Sequence, residues 1–341
     1  MRRATREGGA SKAPRGERAT LRFGRLLHLG SVVIDVVLDV PALPERGGDV
    51  LASATQVTPG GGFNVMAAAT AQRLPVAYAG AYGTGPFAAL ALAALREAHI
   101  EVLQAPRPGL DTGLVVTVVD GGGERTFVTS RGAEATLQAA DLATVRAAPG
   151  DAVYVSGYGL LDPGGPAAIL GWLERAGAPN VVFFDPGPLV GTMPGGVLDR
   201  MLRRADWVTC SAREAALITG RDDPLAAARV LAGTSREGRG RQEASREGRE
   251  GVLVRTGPAG CLVGRAGAAD PVHVPGFHVD VLDTNGAGDT HTGTFIAALA
   301  RGADALDAAR TANAAAALSV TRRGPATAPS AAELARFLAA R

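Results

Sequence analysis

This sequence predicts an α/β fold built on a mostly parallel sheet, and three observations carry that prediction. From Arg25 onward, short apolar runs alternate with longer Ala- and Leu-rich stretches, the order produced when helices cross between parallel strands and cover both faces of a sheet. The short runs are almost continuously apolar, as strands buried on both faces must be. The chain is 341 residues long, 46% apolar and 20% charged, which supplies a sizeable core and too little charge for wholesale disorder.

Taken in order, residues 26–35 read as the first strand, and Asp35 ends it. A carboxylate at the carboxyl end of such a strand lies where open α/β sheets bind ligands, although Asp also ends strands for ordinary turn reasons. Residues 36–57 break the alternation as extended pieces with Pro and Gly turns. Pro59-Gly60-Gly61-Gly62-Phe63-Asn64 then leads into an Ala-rich helix over 65–73, followed by a strand at 76–80 and a helix at 87–98. Residues 113–130 are again extended, alternating around Gly121-Gly122-Gly123, as a hairpin would. Strands follow at 153–156, 181–185, 208–210 and 252–256, with helices at 168–176 and 212–219. The two extended regions predict a small sheet outside the main one, which serves either as a lid or dimer surface or simply as an edge hairpin.

Two segments stand outside this pattern. Residues 1–20 are basic and without an apolar run, and residues 234–250 carry Ser-Arg-Glu-Gly-Arg twice with almost nothing apolar. Neither can offset its ordering entropy by burial, so a disordered tail and a flexible surface insertion are expected. Two copies fall short of a repeat architecture.

Charge and composition exclude several functions. Residues 1–25 hold eight basic residues against Glu7 and Glu17, which leaves the remainder about four units negative for a chain of net charge +2. A folded nucleic-acid groove is not expected from that distribution. No run approaches a membrane span, and residues 1–20 lack a secretory h-region, so the expectation is a soluble, cytoplasmic protein. Lys12 is the only lysine, which disfavours a Walker P-loop, a protein-kinase strand lysine and Schiff-base chemistry. Cys210 and Cys261 stand alone, and the five histidines show no metal-binding spacing, so neither a disulfide framework nor a zinc site is supported.

Two segments can carry chemistry. Asp283-Thr284-Asn285-Gly286-Ala287-Gly288-Asp289 opens a helix with Phe295, Ile296 and Leu299 at helical spacing. Unpaired amides at such a helix start bind phosphate or a developing anion, and the small residues admit a ligand close to the backbone. Asp289 beside them either accepts a hydroxyl proton as general base or merely caps the helix. The second segment is Gly60-Gly61-Gly62-Phe63-Asn64, whose glycines and amide suit a sugar hydroxyl but also suit a loop and a helix cap.

Together these two segments, in this order and more than two hundred residues apart, resemble the signatures of the PfkB, or ribokinase-like, carbohydrate kinases over residues 24–338. Residues 314–324, AAAALSVTRRG, resemble that family's nucleotide-side helix and turn. The resemblance implies a ribokinase-like three-layer sandwich with a β-sheet lid from about 36–57 and 113–130. It implies an ATP- and Mg²⁺-dependent kinase acting on a hydroxyl of a small ribose- or ketohexose-like sugar, and it leaves a monovalent cation such as K⁺ open. It assigns Asp289 as base and Gly286, Ala287 and Gly288 as anion hole. Asp35, Gly60, Gly61 and Asn64 become sugar contacts, and Thr256, Gly257, Gly260 and Asn313 lie on the nucleotide side. Ser211-Ala212-Arg213-Glu214 occupies the place of the family's Asn-x-x-Glu, so Glu214 would organise Mg²⁺ through water while Ser211 departs from the pattern.

Lid pairing implies a homodimer, with sugar and ATP as the small-molecule partners. Two alternatives stay open: a nucleoside kinase of the same fold, and a non-catalytic sugar- or nucleotide-binding protein. A sugar-phosphate acceptor is less expected, since Arg125 and Arg131 are the only candidates for a phosphate fork.

Overall fold

The computed structural model describes residues 22–175, 181–233, 250–266, 268 and 270–341. The segments read as a basic tail and as an insertion therefore lie outside the described residues, save Glu250. Among those described, two sheets form, with strand orders β13-β12-β11-β10-β9-β8-β1-β4-β5 and β3-β2-β6-β7.

The main sheet takes β1 (Arg25–Leu29), β4 (Val76–Tyr78), β5 (Glu101–Val102), β8 (Asp151–Ser156), β9 (Val181–Asp185), β10 (Trp207–Ser211) and β11 (Gly251–Arg255) in parallel. At one edge β12 (Gly260–Arg265) and β13 (Val272–Pro275) add an antiparallel pair that the sequence pattern had not separated out. Alternate residues feed opposite faces. Leu27, Leu29, Val153, Val155 and Phe184 pack in one core cluster, and Leu26, Tyr154, Phe183 and Trp207 in the other.

Each core is roofed by helices, which makes three layers. On the first lie α3 (Gly165–Arg175), α4 (Gly195–Arg204), α5 (Ala212–Thr219) and α6 (Pro224–Ala232), through residues such as Trp172, Met201, Ala215 and Ala228. On the second lie α1 (Gly62–Ala71), α2 (Pro86–Glu97), α7 (Ala287–Ala300) and α8 (Ala305–Ser319), through Met66, Leu95, Phe295 and Ala308. α9 (Ala331–Ala339) closes over α8 with Leu334. Phe295 stands edge-on to Trp207, ring centroids 5.0 Å apart, and both are fully buried; burial of each contributes about 2–3 kcal/mol. Gly293 lets α1 and α7 approach, because a Cβ there would overlap the Val65 carbonyl. Among the described residues no helix is long and apolar enough to cross a membrane.

One strand boundary needs correcting. The run 26–35 is not one strand: β1 ends at Leu29, and after Gly30 and Ser31 a new strand, β2 (Val32–Asp39), enters the small sheet. Continuous apolar content cannot show this break, since both pieces are buried where they meet. The small sheet is completed by β3 (Ala54–Gly61), β6 (Leu114–Val119) and β7 (Arg125–Ser130), so it begins before residue 36, and 40–53 connects its strands as a loop.

Candidate active site

The carboxyl ends of β8 to β11 and the amino end of α7 converge on one place, the position where open α/β sheets bind ligands. Asp289 stands at its floor. It is the third residue of α7, whose N-cap is Gly286 in the left-handed region at φ 71°, and no side chain caps the helix. The capping alternative for Asp289 is thereby overturned: its carboxylate accepts from Asn64 Nδ2 at 3.1 Å. A Cβ at Gly286 would overlap the Pro325 carbonyl oxygen, so the turn is held against the 325 loop and only glycine fits it. Thr290 N–H returns to the Gly286 carbonyl at 2.8 Å, and Ala287 N–H reaches Thr284 O at 3.3 Å. That leaves the Gly286 and Gly288 amides as the more available donors of the three expected to form the anion hole.

Asp283 organises this turn from below. Its carboxylate accepts from the Asn285 amide at 2.9 Å, the Gly324 amide at 3.0 Å and Arg125 Nη2 at 2.9 Å. Burial alone would raise its pKa, but those donors hold it below the ordinary carboxylate range. Arg125 belongs to β7, so the small sheet is tied to the 283–289 turn by an ion pair, and the free reach of Arg125 towards a substrate is reduced. Arg131 faces Asp162 at 3.6 Å.

On the sugar side, Asp35 lies within β2 of the small sheet, not at the end of the first main-sheet strand. In register it opposes Thr58 and Val115, which puts it on the sheet face that also carries Thr117 and Arg125. A Cβ at Gly60 would fall on the Asp35 carboxylate, and Gly61, at φ 61°, turns the chain from β3 into α1. Beneath that turn the buried His28 ring lies against Gly30 and Gly62, which excludes any side chain at either. Asn64 Oδ1 is buried with no protein partner, an acceptor placed beside the Asp289 carboxylate. Asp35, Gly60, Gly61, Asn64 and Asp289 are thus grouped as expected from the sequence.

The nucleotide side is grouped less completely. Gly257, at φ 66°, has open space where a Cβ would be, and the Thr256 hydroxyl donates to Gly260 O at 2.9 Å, closing the turn. Gly260 itself faces away: a Cβ there would strike the Val274 carbonyl, so its small size serves β12–β13 packing and not a phosphate. Asn313 is likewise a correction. Its Nδ2 donates to the carbonyls of Val274 (3.0 Å) and Pro275 (3.1 Å), and its Oδ1 accepts from His291 at 2.9 Å, so its amide is committed inside the core.

Glu214 caps rather than waits. Its carboxylate accepts the Ser211 amide at 2.7 Å while the Ser211 hydroxyl accepts the Glu214 amide at 3.2 Å, a capping box at the start of α5. It also faces Arg255 Nη2 at 3.6 Å. Arg255 in turn donates to Asp185 Oδ2 at 2.9 Å and to Thr292 Oγ1 at 2.8 Å. Among the described residues no group of three His, Cys, Asp or Glu side chains forms a metal cage. Two carboxylates, Asp185 and Glu214, do suit Mg²⁺ carried by phosphates and water, which is how that ion is commonly held.

Sequence reasoning missed Asp185, Arg255 and Tyr158. Each sits at or just beyond the carboxyl end of a parallel strand, a signal that was present but not exploited. Tyr158 is 45% exposed and its pKa is raised, first by burial and then by Asp289, Glu214, Asp185 and Asp35.

Burial raises the Asp289 pKa to about 7, assisted by Asp185 and Asp35 and opposed by Asn64 and Arg255. Asp35 rises to about 6 by burial. In the base role that the sequence resemblance implies, Asp289 must be ionised to act, so kcat/KM should climb as pH rises to about 7 and level off above it, instead of levelling near pH 4 as for an ordinary Asp. A pH–rate profile at saturating nucleotide checks this.

Comparison with known proteins agrees with the geometry. Residues 24–332 match the pfkB family carbohydrate kinases. The chain is 31% identical to an uncharacterized sugar kinase, YegV, of Escherichia coli K12 over 91% of this chain and 92% of that protein. It is 30% identical to an ATP-dependent ribose-1-phosphate kinase of Halopiger xanaduensis over 93% and 99%. Ribokinase from Giardia lamblia superposes with a TM-score of 0.77 at 22% identity, covering 92% of this chain and 99% of the other.

Proposed function

The chain belongs to the pfkB family of carbohydrate kinases, and from that premise we propose that it phosphorylates a hydroxyl of a small unphosphorylated sugar, ribose- or ketohexose-like, with Asp289 as the base. It is an ATP-dependent sugar kinase, a phosphotransferase with a hydroxyl acceptor. One observation carries the reading of the site: Asn64, from the glycine turn, donates at 3.1 Å to Asp289, from the anion-hole helix. Both motifs therefore serve one small volume.

The Asn64 bond occupies Oδ2 of Asp289 and orients the carboxylate, leaving Oδ1 for the acceptor hydroxyl. The sugar is held by Asp35 and by the Gly60–Gly61 backbone. As its proton passes to Asp289, the hydroxyl oxygen forms a bond to the γ-phosphorus, and the bond to the β-phosphate oxygen breaks in line. The Gly286 and Gly288 amides, with the positive end of α7, stabilise charge on the transferring group. Glu214 and Asp185 would hold, through water, the Mg²⁺ that arrives with ATP, and that ion would supply charge neutralisation at the phosphate oxygens. Thr256 and Gly257 face the nucleotide phosphates; Gly260 and Asn313 support that side from within the core.

Acceptor choice follows from the arginines. Arg125 and Arg131, the two candidates for a phosphate fork, are paired with Asp283 and Asp162, which favours an uncharged sugar over a sugar phosphate. The small sheet acts as a lid, closing over the sugar to exclude water. Its reverse face carries Val57 and Val128, 49% and 63% exposed, together with Leu38, Val116 and Val118 in register, an apolar surface suited to a homodimer. An ATP-dependent reaction suits a cytoplasmic setting, and the family resemblance leaves activation by a monovalent cation such as K⁺ open to test.

The test is ADP release with Mg²⁺-ATP across pentoses, ketohexoses, sugar acids, sugar phosphates and nucleosides, with and without K⁺. A free pentose or ketohexose is expected to turn over best. Preference for a phosphorylated sugar or a nucleoside would overturn the acceptor assignment.

A further inference from the structure

We infer that Arg255 is the fixed cation of the phosphoryl-transfer site: it clamps the Asp185 and Glu214 carboxylates beside the Gly286–Gly288 turn so that a polyanionic nucleotide can enter. The inference rests on the kinase reading and goes beyond it by assigning a residue that neither signature contains.

The geometry is specific. Arg255 ends β11 immediately before the Thr256–Gly257 turn, and in register it lies opposite Ser211. Its guanidinium donates to Asp185 and Thr292 and faces Glu214, and its side chain is only 15% exposed. The Nε lies 3.5 Å from where a Cβ on Gly288 would project, so the cation borders the anion hole itself. Thr292 is on α7, one turn beyond Gly288. One side chain thereby joins the ends of β9 and β11, the start of α5 and the first turns of α7.

Charge makes that position consequential. Asp35, Asp185, Glu214 and Asp289 all border the pocket, and a nucleotide adds further negative charge. Lys12 is the only lysine in the chain, so no ammonium can be supplied by the kinase body beyond it. Arg125 is already paired with Asp283. Without Arg255, two carboxylates would be left partly buried and uncompensated, which is costly in itself and repels phosphate. Ser211 fits this arrangement, since its short side chain caps α5 and leaves Glu214 turned towards the guanidinium. A bidentate-capable fork suits two acceptors and a hydroxyl better than an ammonium would.

The test uses the full chain and four readouts: ADP affinity by calorimetry at fixed Mg²⁺, kcat, sugar KM and melting temperature. For Arg255→Met, ADP affinity should fall about 30-fold and kcat about 100-fold while sugar KM stays within about threefold. Arg255→Lys, which keeps the charge but not the planar fork, should recover most of the ADP affinity and settle about three- to fivefold below the parent. With Mg²⁺ omitted, so that metal holding by Glu214 plays no part, adding Glu214→Gln to Arg255→Met removes one repelling carboxylate and should recover about tenfold of the ADP affinity that Arg255→Met loses under the same conditions. A role confined to holding strands together would lower the melting temperature of Arg255→Met and leave ADP affinity and kcat per folded molecule unchanged, and that result would overturn the inference. So would a failure of both the Lys and the double variant to recover affinity. If Arg255→Met does not fold, Arg255→Lys alone decides, because ADP affinity equal to the parent's would overturn the inference and a loss of about three- to fivefold with unchanged sugar KM would uphold it. Turnover by the parent protein in the same assay separates failure of this inference from failure of the kinase reading.

Discussion

Asp289→Asn is expected to lower kcat by about 10²- to 10⁴-fold while leaving the folded protein more stable than the parent above pH 7. The first effect follows from chemistry: an amide cannot take the hydroxyl proton, although it can still receive the Asn64 hydrogen bond after an amide flip. Sugar and nucleotide binding should change little, since Asp35, the glycine turns and the anion hole are untouched. The second effect follows from linkage. Burial raises the Asp289 pKa from 3.8 to about 7, so the folded protein holds a proton there that the unfolded chain has released. The stability this contributes is fully present below pH 3.8 and is lost as pH rises through about 7. Asn stays neutral throughout, so the variant should gain on the order of a few kcal/mol at pH 8 and nothing at pH 3. Melting curves at the two pH values, beside steady-state rates, check both halves. A variant that loses activity and stability together at pH 8 would show that Asp289 is a structural ion and not a buried base.

Gly286→Ala should be nearly as damaging, and Gly288→Ala should differ from it in kind. At Gly286 a Cβ would overlap the Pro325 carbonyl, and φ is 71°, so the turn must move or strain. Moving it displaces the Gly286 and Gly288 amides from the transferring group, and loss of one such donor costs on the order of 10²- to 10³-fold in kcat. Stability should fall by about 1–3 kcal/mol. At Gly288 the nearest neighbour of an added Cβ is the Arg255 Nε at 3.5 Å, an ordinary contact. That variant should melt like the parent and still bind sugar, yet turn over poorly, because the methyl group would project where the phosphoryl group approaches. Equal melting temperatures for the two alanine variants would contradict the tight seating of Gly286 against the 325 loop.

Much of the architecture was legible in the chain. Near-continuous apolar runs such as 181–185 and 252–256 are strands because only a two-faced buried sheet accommodates them, and both appear within a residue of the expected limits. The glycine turns were legible as well, although small residues before a helix also serve as plain loops and caps and only the pairing of the two motifs pointed to a ligand. The division of 26–35 into β1 and β2 was not, because the chain changes sheet at Gly30 without changing its apolar character. Gly260 and Asn313 show the opposite failure. Their motif neighbours pointed to a ligand, whereas their atoms are engaged by Val274, Pro275 and His291.

By itself the sequence determined the fold class, most of the parallel strands and the two segments that meet at Asp289, because periodicity and backbone freedom are local properties. Only the tertiary structure decided which carboxylates share the pocket, that Arg255 lies between Asp185 and Glu214, and that Asp289 is raised to about 7. Desolvation and charge pairing depend on distances between residues far apart in the chain. Those distances are set by packing, and no window of sequence contains them.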